Sequence, residues 1–142
     1  MPIITQQQIL PYRAADMYAL VNDVERYPEF LPMCVDAKVL SKTEHELCAT
    51  LFIQKGPLQF SFSTRNHLIV DTQIEMHLLD GPFEYLRGKW VFTERSQGSE
   101  VNLRLDFEMK NTLLKLTLGP VFSALAYSMV EIFSKRAKKL YD

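Results

Sequence analysis

Five stretches of this chain alternate apolar and polar residues with period two, and the C-terminal segment then changes to a helical period. Leu47, Ala49, Leu51 and Ile53 alternate with Cys48, Thr50, Phe52 and Gln54, and Leu58, Phe60, Phe62 and Thr64 with Gln59, Ser61, Ser63 and Arg65. Ile74, Met76 and Leu78 oppose Gln73, Glu75 and His77, while Leu86, Gly88, Trp90 and Phe92 oppose Arg87, Lys89, Val91 and Thr93. The clearest stretch sets Val101, Leu103, Leu105, Phe107 and Met109 against Asn102, Arg104, Asp106, Glu108 and Lys110. Successive side chains leave a strand on opposite faces, so each stretch predicts a half-buried strand. A weaker strand is expected over Ile3 to Ile9 and another through Ala37 to Leu40.

The punctuation is Gly56-Pro57, Asp80-Gly81-Pro82, Gln97-Gly98-Ser99 and Gly119-Pro120. Parallel strands need crossovers of a dozen residues or more, so these short turns predict an antiparallel meander. Its apolar face needs a cover. From Leu113 to Leu140 a helical stripe of Phe122, Leu125, Met129, Phe133 and Leu140 supplies one. Pro120 is either an early helical residue or a kink in a helix begun a turn before. Shorter helices are expected at Ala14 to Asn22 and Val24 to Tyr27. The fold class is α+β: a curved antiparallel sheet of about six to seven strands, wrapped around a long C-terminal helix, with two short helices after the first strand.

The 142 residues fit one domain, residues 1–142, and 47% hydrophobic with 23% charged residues excludes intrinsic disorder. A net charge of -1 argues against wholesale electrostatic binding to DNA or other nucleic acid, leaving a local basic patch as the route to such a partner. Two cysteines, Cys34 and Cys48, are too few for a disulfide framework and are expected as reduced thiols. The N-terminus lacks a basic segment followed by an apolar one, and no run reaches the ~20 apolar residues of a membrane span. The expected location is the cytoplasm, with peripheral contact at the inner membrane as the alternative.

Chemistry-bearing motifs are missing. His45, His67 and His77 have no metal-ligand spacing, and no nucleophile elbow, phosphate loop or dinucleotide fingerprint occurs. No catalytic residue, metal or cofactor is expected, and the protein is read as a non-enzyme. The inner face is large and soft instead: Phe60, Phe62, Met76, Trp90, Phe92, Phe107 and Met109 meet Phe122, Leu125, Met129 and Phe133. Either these form an ordinary packed core, or sheet and helix leave an apolar cavity, with Gly88 and Thr64 making room. The segment Arg26 to Cys34 sets Tyr27, Phe30 and Leu31 around two prolines, either as a plug for one end of the core or as an entrance.

Two basic surfaces stand out. Lys135, Arg136, Lys138 and Lys139 complement the helix dipole, and they also suit anionic lipid or ribosomal RNA. Arg65, Arg87, Lys89 and Arg104 share the polar face of the sheet from different strands.

Several segments together resemble the coenzyme Q-binding / ribosome-association toxin (RatA) family. They are Tyr27-Pro28-Glu29-Phe30-Leu31-Pro32-Met33-Cys34, Leu79-Asp80-Gly81-Pro82-Phe83, Leu86-Arg87-Gly88-Lys89-Trp90-Val91-Phe92, Phe107-Glu108-Met109-Lys110-Asn111, Gly119-Pro120-Val121-Phe122 and Phe133-Ser134-Lys135-Arg136-Ala137. Met33 stands where members of that family often carry Trp. The family is START-like (SRPBCC, polyketide cyclase/dehydrase-like), with a helix-grip fold. The resemblance implies one of two functions. The first is non-catalytic binding of ubiquinone or a polyprenyl quinone intermediate in support of respiration, with a wall of Phe60, Phe62, Trp90, Phe92, Phe107, Phe122, Leu125 and Met129 and an entrance at Tyr27, Phe30 and Leu31. The alternative is a toxin that binds the large ribosomal subunit and blocks joining of the small one, with Lys135, Arg136, Lys138 and Lys139 as a partner surface.

Overall fold

The structure, a computed structural model, describes residues 3–142. Strand β1 (Ile3–Leu10) leads into helix α1 (Ala14–Asn22) and a 3-10 helix (Val24–Glu29). Six strands follow: β2 (Cys34–Lys42), β3 (Glu46–Lys55), β4 (Leu58–Ile69), β5 (Gln73–Asp80), β6 (Phe83–Arg95) and β7 (Gly98–Met109). Helix α2 (Thr112–Tyr141) ends the chain. All seven strands form one antiparallel sheet in the order β1-β7-β6-β5-β4-β3-β2. This is the architecture the alternation predicts.

Local chemistry explains the hairpins. Lys55 pairs with Leu58 across a two-residue loop, and Gly56 at φ +58 meets the positive φ that the first position of such a turn requires. Register shifts at Cys34/Asp36, Val39/Ser41, Ser63/Thr64 and Phe83/Tyr85 insert bulges, which bend the strands and deepen the twist. The curved sheet presents its apolar register to α2. Phe122, Leu125, Val130, Phe133 and Ala137 are buried there.

Three details differ from expectation. Leu140 is not part of the buried stripe: it is 48% exposed, and Ala137 one turn earlier is fully buried instead. Position 140 lies five full turns after Phe122 and keeps its direction, but the last turn of α2 is left uncovered, with residues 138–142 all exposed. Pro120 is not an early helical residue but lies inside a helix begun about two turns before it, at Thr112, where the Asn111 side chain accepts a hydrogen bond from the Leu114 amide at 2.9 Å. By length and composition alone α2 is apolar enough to cross a membrane, with an 18-residue window of mean hydropathy 1.5. Counting uninterrupted apolar residues misses it, because polar residues such as Thr117, Ser123 and Ser128 interrupt the helix. In the structure this helix is the one gripped by the sheet.

Candidate functional site

The space between sheet and α2 contains an apolar cavity of about 70 Å³. Strands β3 to β7 contribute Leu51, Phe62, Met76, Trp90 and Leu105, and α2 contributes Phe122, Leu125 and Met129. Six of the residues predicted for a wall or entrance meet here: Tyr27, Phe62, Trp90, Phe122, Leu125 and Met129. The other five lie elsewhere. Phe92 is buried beyond the cavity, stacked 6.0 Å from Trp90 and edge-on to Tyr18 at 5.8 Å. Phe107 packs 4.7 Å from Phe122 in an aromatic cluster with Phe83. Phe60, half-buried near the start of β4, stacks on Phe62 at 6.2 Å. Phe30 and Leu31 belong to the plug described next.

The Arg26–Cys34 segment closes one end of the core. Tyr27 and Leu31 are buried, and the Tyr27 hydroxyl donates to the Val21 carbonyl. Burial holds the Tyr27 phenol firmly protonated, above its ordinary range. Phe30 sits 5.3 Å from Phe133, which itself lies 5.3 Å from Tyr27 and 5.5 Å from Trp90. Cys34 follows as a buried thiol, pushed up to about 11 mainly by burial, and so is unreactive at neutral pH. Of the two readings of this segment, the geometry is that of a plug.

Gly88 and Thr64 bear differently on the cavity's size. Gly88 does not leave room, because a Cβ there would come within 2.5 Å of the Leu105 side chain and 2.6 Å of Met76. Those side chains have already filled the space that the missing Cβ vacates. Thr64 does face the cavity, but it comes with a partner that sequence reasoning missed: its hydroxyl donates to Asn66 Oδ1 at 2.9 Å, and both residues are buried. The signal was present, since Asn66 continues the inward register of Phe62 and Thr64. Apart from Tyr27, no lining residue carries an ionisable side chain. Among the described residues, no group of three or more His, Cys, Asp or Glu could hold a metal ion.

The basic surfaces sort differently. Arg136 does not belong to a solvated helix end. Its side chain is only 10% exposed, paired with Glu29 at 2.8 Å and stacked on Phe30. Lys135 pairs with Glu131 at 3.3 Å, which leaves Lys138 and Lys139 exposed in the last turn. On the outer sheet face, Arg65 pairs with Glu46 at 3.4 Å and Arg87 with Asp106 at 3.3 Å. Lys89 and Arg104 face each other directly across β6 and β7.

Comparison with known proteins adds relatives. The family model described as "Polyketide cyclase / dehydrase and lipid transport" matches residues 10–134. The chain is 43% identical over 143 aligned residues to the ribosome association toxin RatA of Escherichia coli (strain K12), covering 100% of this chain and 90% of that protein. It is 23% identical over 140 residues to the mitochondrial coenzyme Q-binding protein COQ10 of Drosophila melanogaster, covering 95% of this chain and 58% of that protein. Among solved structures, the 18 kDa protein of Caulobacter crescentus superimposes with a TM-score of 0.77 at 26% identity, covering 99% of both chains. A Streptomyces aromatase/cyclase reaches 0.85 at 13% identity, covering 97% of this chain and 94% of that one, a likeness of fold alone.

Proposed function

The chain belongs to the polyketide cyclase / dehydrase and lipid transport family, and from that premise we propose that it is a non-catalytic ribosome-association protein that binds the large subunit and blocks joining of the small one. The observation that carries this reading is the end-to-end similarity to a protein named for ribosome association, at 43% identity. The interior supports it from the other side. A cavity of about 70 Å³ falls well short of the roughly 300–1,000 Å³ typical of small-molecule sites, and a prenylated ring needs more. Apart from the Tyr27 phenol, which is bonded to the Val21 carbonyl, no acid or base lines that cavity, and this supports a role without catalysis. The reading implies a cytoplasmic protein that acts through its surface, with Lys138 and Lys139 as one candidate contact and the outer sheet face as another.

The test is sedimentation of separated ribosomal subunits mixed with the purified protein under joining conditions. The expected result is protein co-migrating with large subunits, together with a reduced joined-ribosome peak. Protein left at the top of the gradient beside an unchanged joined peak would end the proposal.

A second reading has its own observation. The cavity wall is apolar except for the Thr64–Asn66 pair and the Tyr27 phenol, a pattern suited to a hydrophobic ligand with one polar end. We infer from this that a quinone or similar lipid is the ligand if sheet and α2 part to admit it. Organic extraction of gently purified protein, followed by mass spectrometry, decides. A stoichiometric quinone supports it, and an empty extract after incubation with added quinone removes it.

A further inference from the structure

We propose that this protein grips the phosphodiester backbone of RNA on the outer face of its sheet, with Lys89 and Arg104 as the phosphate contacts. The proposal rests on the ribosome-association reading and names the surface and chemistry through which it works.

The argument begins with register. Lys89 of β6 lies directly opposite Arg104 of β7, and Thr5 of β1 lies opposite Arg104 on the other side. Like charges directly opposite in an antiparallel pair destabilise it. An adjacent acid normally relieves such a pair, and elsewhere on the molecule this happens: Arg13, Arg65, Arg87 and Arg95 each pair with a carboxylate. Among the described residues, no carboxylate oxygen lies within 4.0 Å of a Lys89 or Arg104 nitrogen. Glu75, the acid opposite Lys89, turns instead to His77 at 2.9 Å. Two exposed, mutually repelling cations thus stand side by side without a counter-ion of their own.

Their surroundings suit a polyanion better than an acidic peptide. The two side chains line an open groove of about 350 Å³, together with Thr5, Gln7, Val91 and Asn102. Hydroxyl and carboxamide groups of this kind bind phosphate and ribose oxygens beside arginine and lysine. The groove offers no aromatic anchor of the sort that carries protein–protein affinity, and its one large aliphatic lining residue, Leu103, is buried in the core at 2% exposure. One step along the strands, Arg87, His77 and Arg65 form a second cross-strand row of exposed nitrogen-bearing side chains. The α2 terminus offers less, since Arg136 is committed to Glu29 and Phe30.

The experiment titrates full-length protein against purified large subunits between about 0.05 and 0.2 M salt, because released counter-ions make phosphate contacts visible as a salt slope. Lys89→Ala and Arg104→Ala should each reduce that slope by about 1, and the double variant by about 2. Lys89→Arg should keep the slope. Thermal melting should show no loss of stability in either alanine variant, since each removes a repulsion. Naked RNA stripped from the large subunit serves as the second probe and should give the same ranking. A double variant with unchanged affinity and slope overturns the proposal while leaving ribosome association intact, as does loss of binding only on replacing Lys138 and Lys139. If subunit binding falls while naked RNA binds wild type and double variant equally, the contact is with ribosomal protein and the RNA assignment fails. Wild-type protein that ignores large subunits altogether sinks the underlying reading as well.

Discussion

Arg136 stacks on Phe30, its guanidinium carbon 4.8 Å from the ring centroid. Phe30 packs edge-on against Phe133 at 5.3 Å, so the cation seals an aromatic plug between the 3-10 helix and α2. Removing it in Arg136→Ala should lower stability by about 2 kcal/mol, combining a cation–π contact with the packing of the side-chain stem. Arg136→Lys should recover only part, because an ammonium lacks the planar face. Urea unfolding at neutral pH reads both, and an Arg136→Ala variant as stable as wild type would refute the strut.

Glu29 makes the same junction sensitive to acid. Its carboxyl is held below the ordinary value of 4.5, first by the hydrogen bond from Arg136 and also by Arg26, against a smaller opposing effect of desolvation. A carboxyl that ionises at lower pH in the folded state contributes its stability fully above the unfolded value and loses it as pH falls through the folded one. The stability gap between wild type and Glu29→Gln should therefore shrink on acidification from about pH 6 to about pH 3. Added salt should narrow the gap at neutral pH, since Glu29 is half exposed. A gap that stays constant with pH would remove the Arg136 pairing as its source.

Leu125 is 3% exposed and lines the cavity from α2. Leu125→Ala should cost about 2–5 kcal/mol, the upper end applying if the sheet does not relax onto the gap. The enlarged apolar space should then take up xenon or benzene, detectable as a rise in melting temperature with the probe present. A loss under about 1 kcal/mol would mean that the surrounding side chains collapse into the space.

Gly98 opens β7 at φ +150, where a Cβ would sit 1.9 Å from the Leu10 carbonyl oxygen. Backbone cannot yield as a side-chain tip does, so Gly98→Ala should destabilise by on the order of 3 kcal/mol. The damage should concentrate where β1 meets β7, as faster amide exchange around Leu10. Uniform exchange across the sheet would contradict this local origin.

Asn111 caps α2 through its bond from the Leu114 amide. Asn111→Ala should cost about 1 kcal/mol, whereas Asn111→Asp should cost little, because a carboxylate accepts the same bond and complements the helix N-terminus. Chemical denaturation of the two variants side by side checks this, and equal losses would discount the cap.

Much of the fold was legible because its cues are local. The alternation around Val101 to Met109 and the Gly56-Pro57 turn each specify geometry within a few residues. The candidate site was legible only in part. Residues on the correct face were recognised, but Phe92 and Phe107 share that face with Trp90 and still lie beyond the cavity, because a face is a direction and not a depth. Gly88 misled for a related reason. A small residue predicts space only if its neighbours leave it empty, and Met76 and Leu105 do not. Asn66 could have been found by carrying the inward register of β4 two residues further.

From the sequence alone come the order of strands and helices, the apolar side of each, and the helix that covers them, since periodicity and turn chemistry act over short distances. Tertiary structure decided the rest. It seated β1 beside β7, with Ile3 opposite Asp106. It drew Arg136 onto Glu29, 107 residues away, and out of the basic helix end. It set Lys89 against Arg104 and reduced the interior to about 70 Å³. Each of these outcomes depends on which distant side chains meet and how tightly they fill the space between them, and close packing settles that only once the whole chain is assembled.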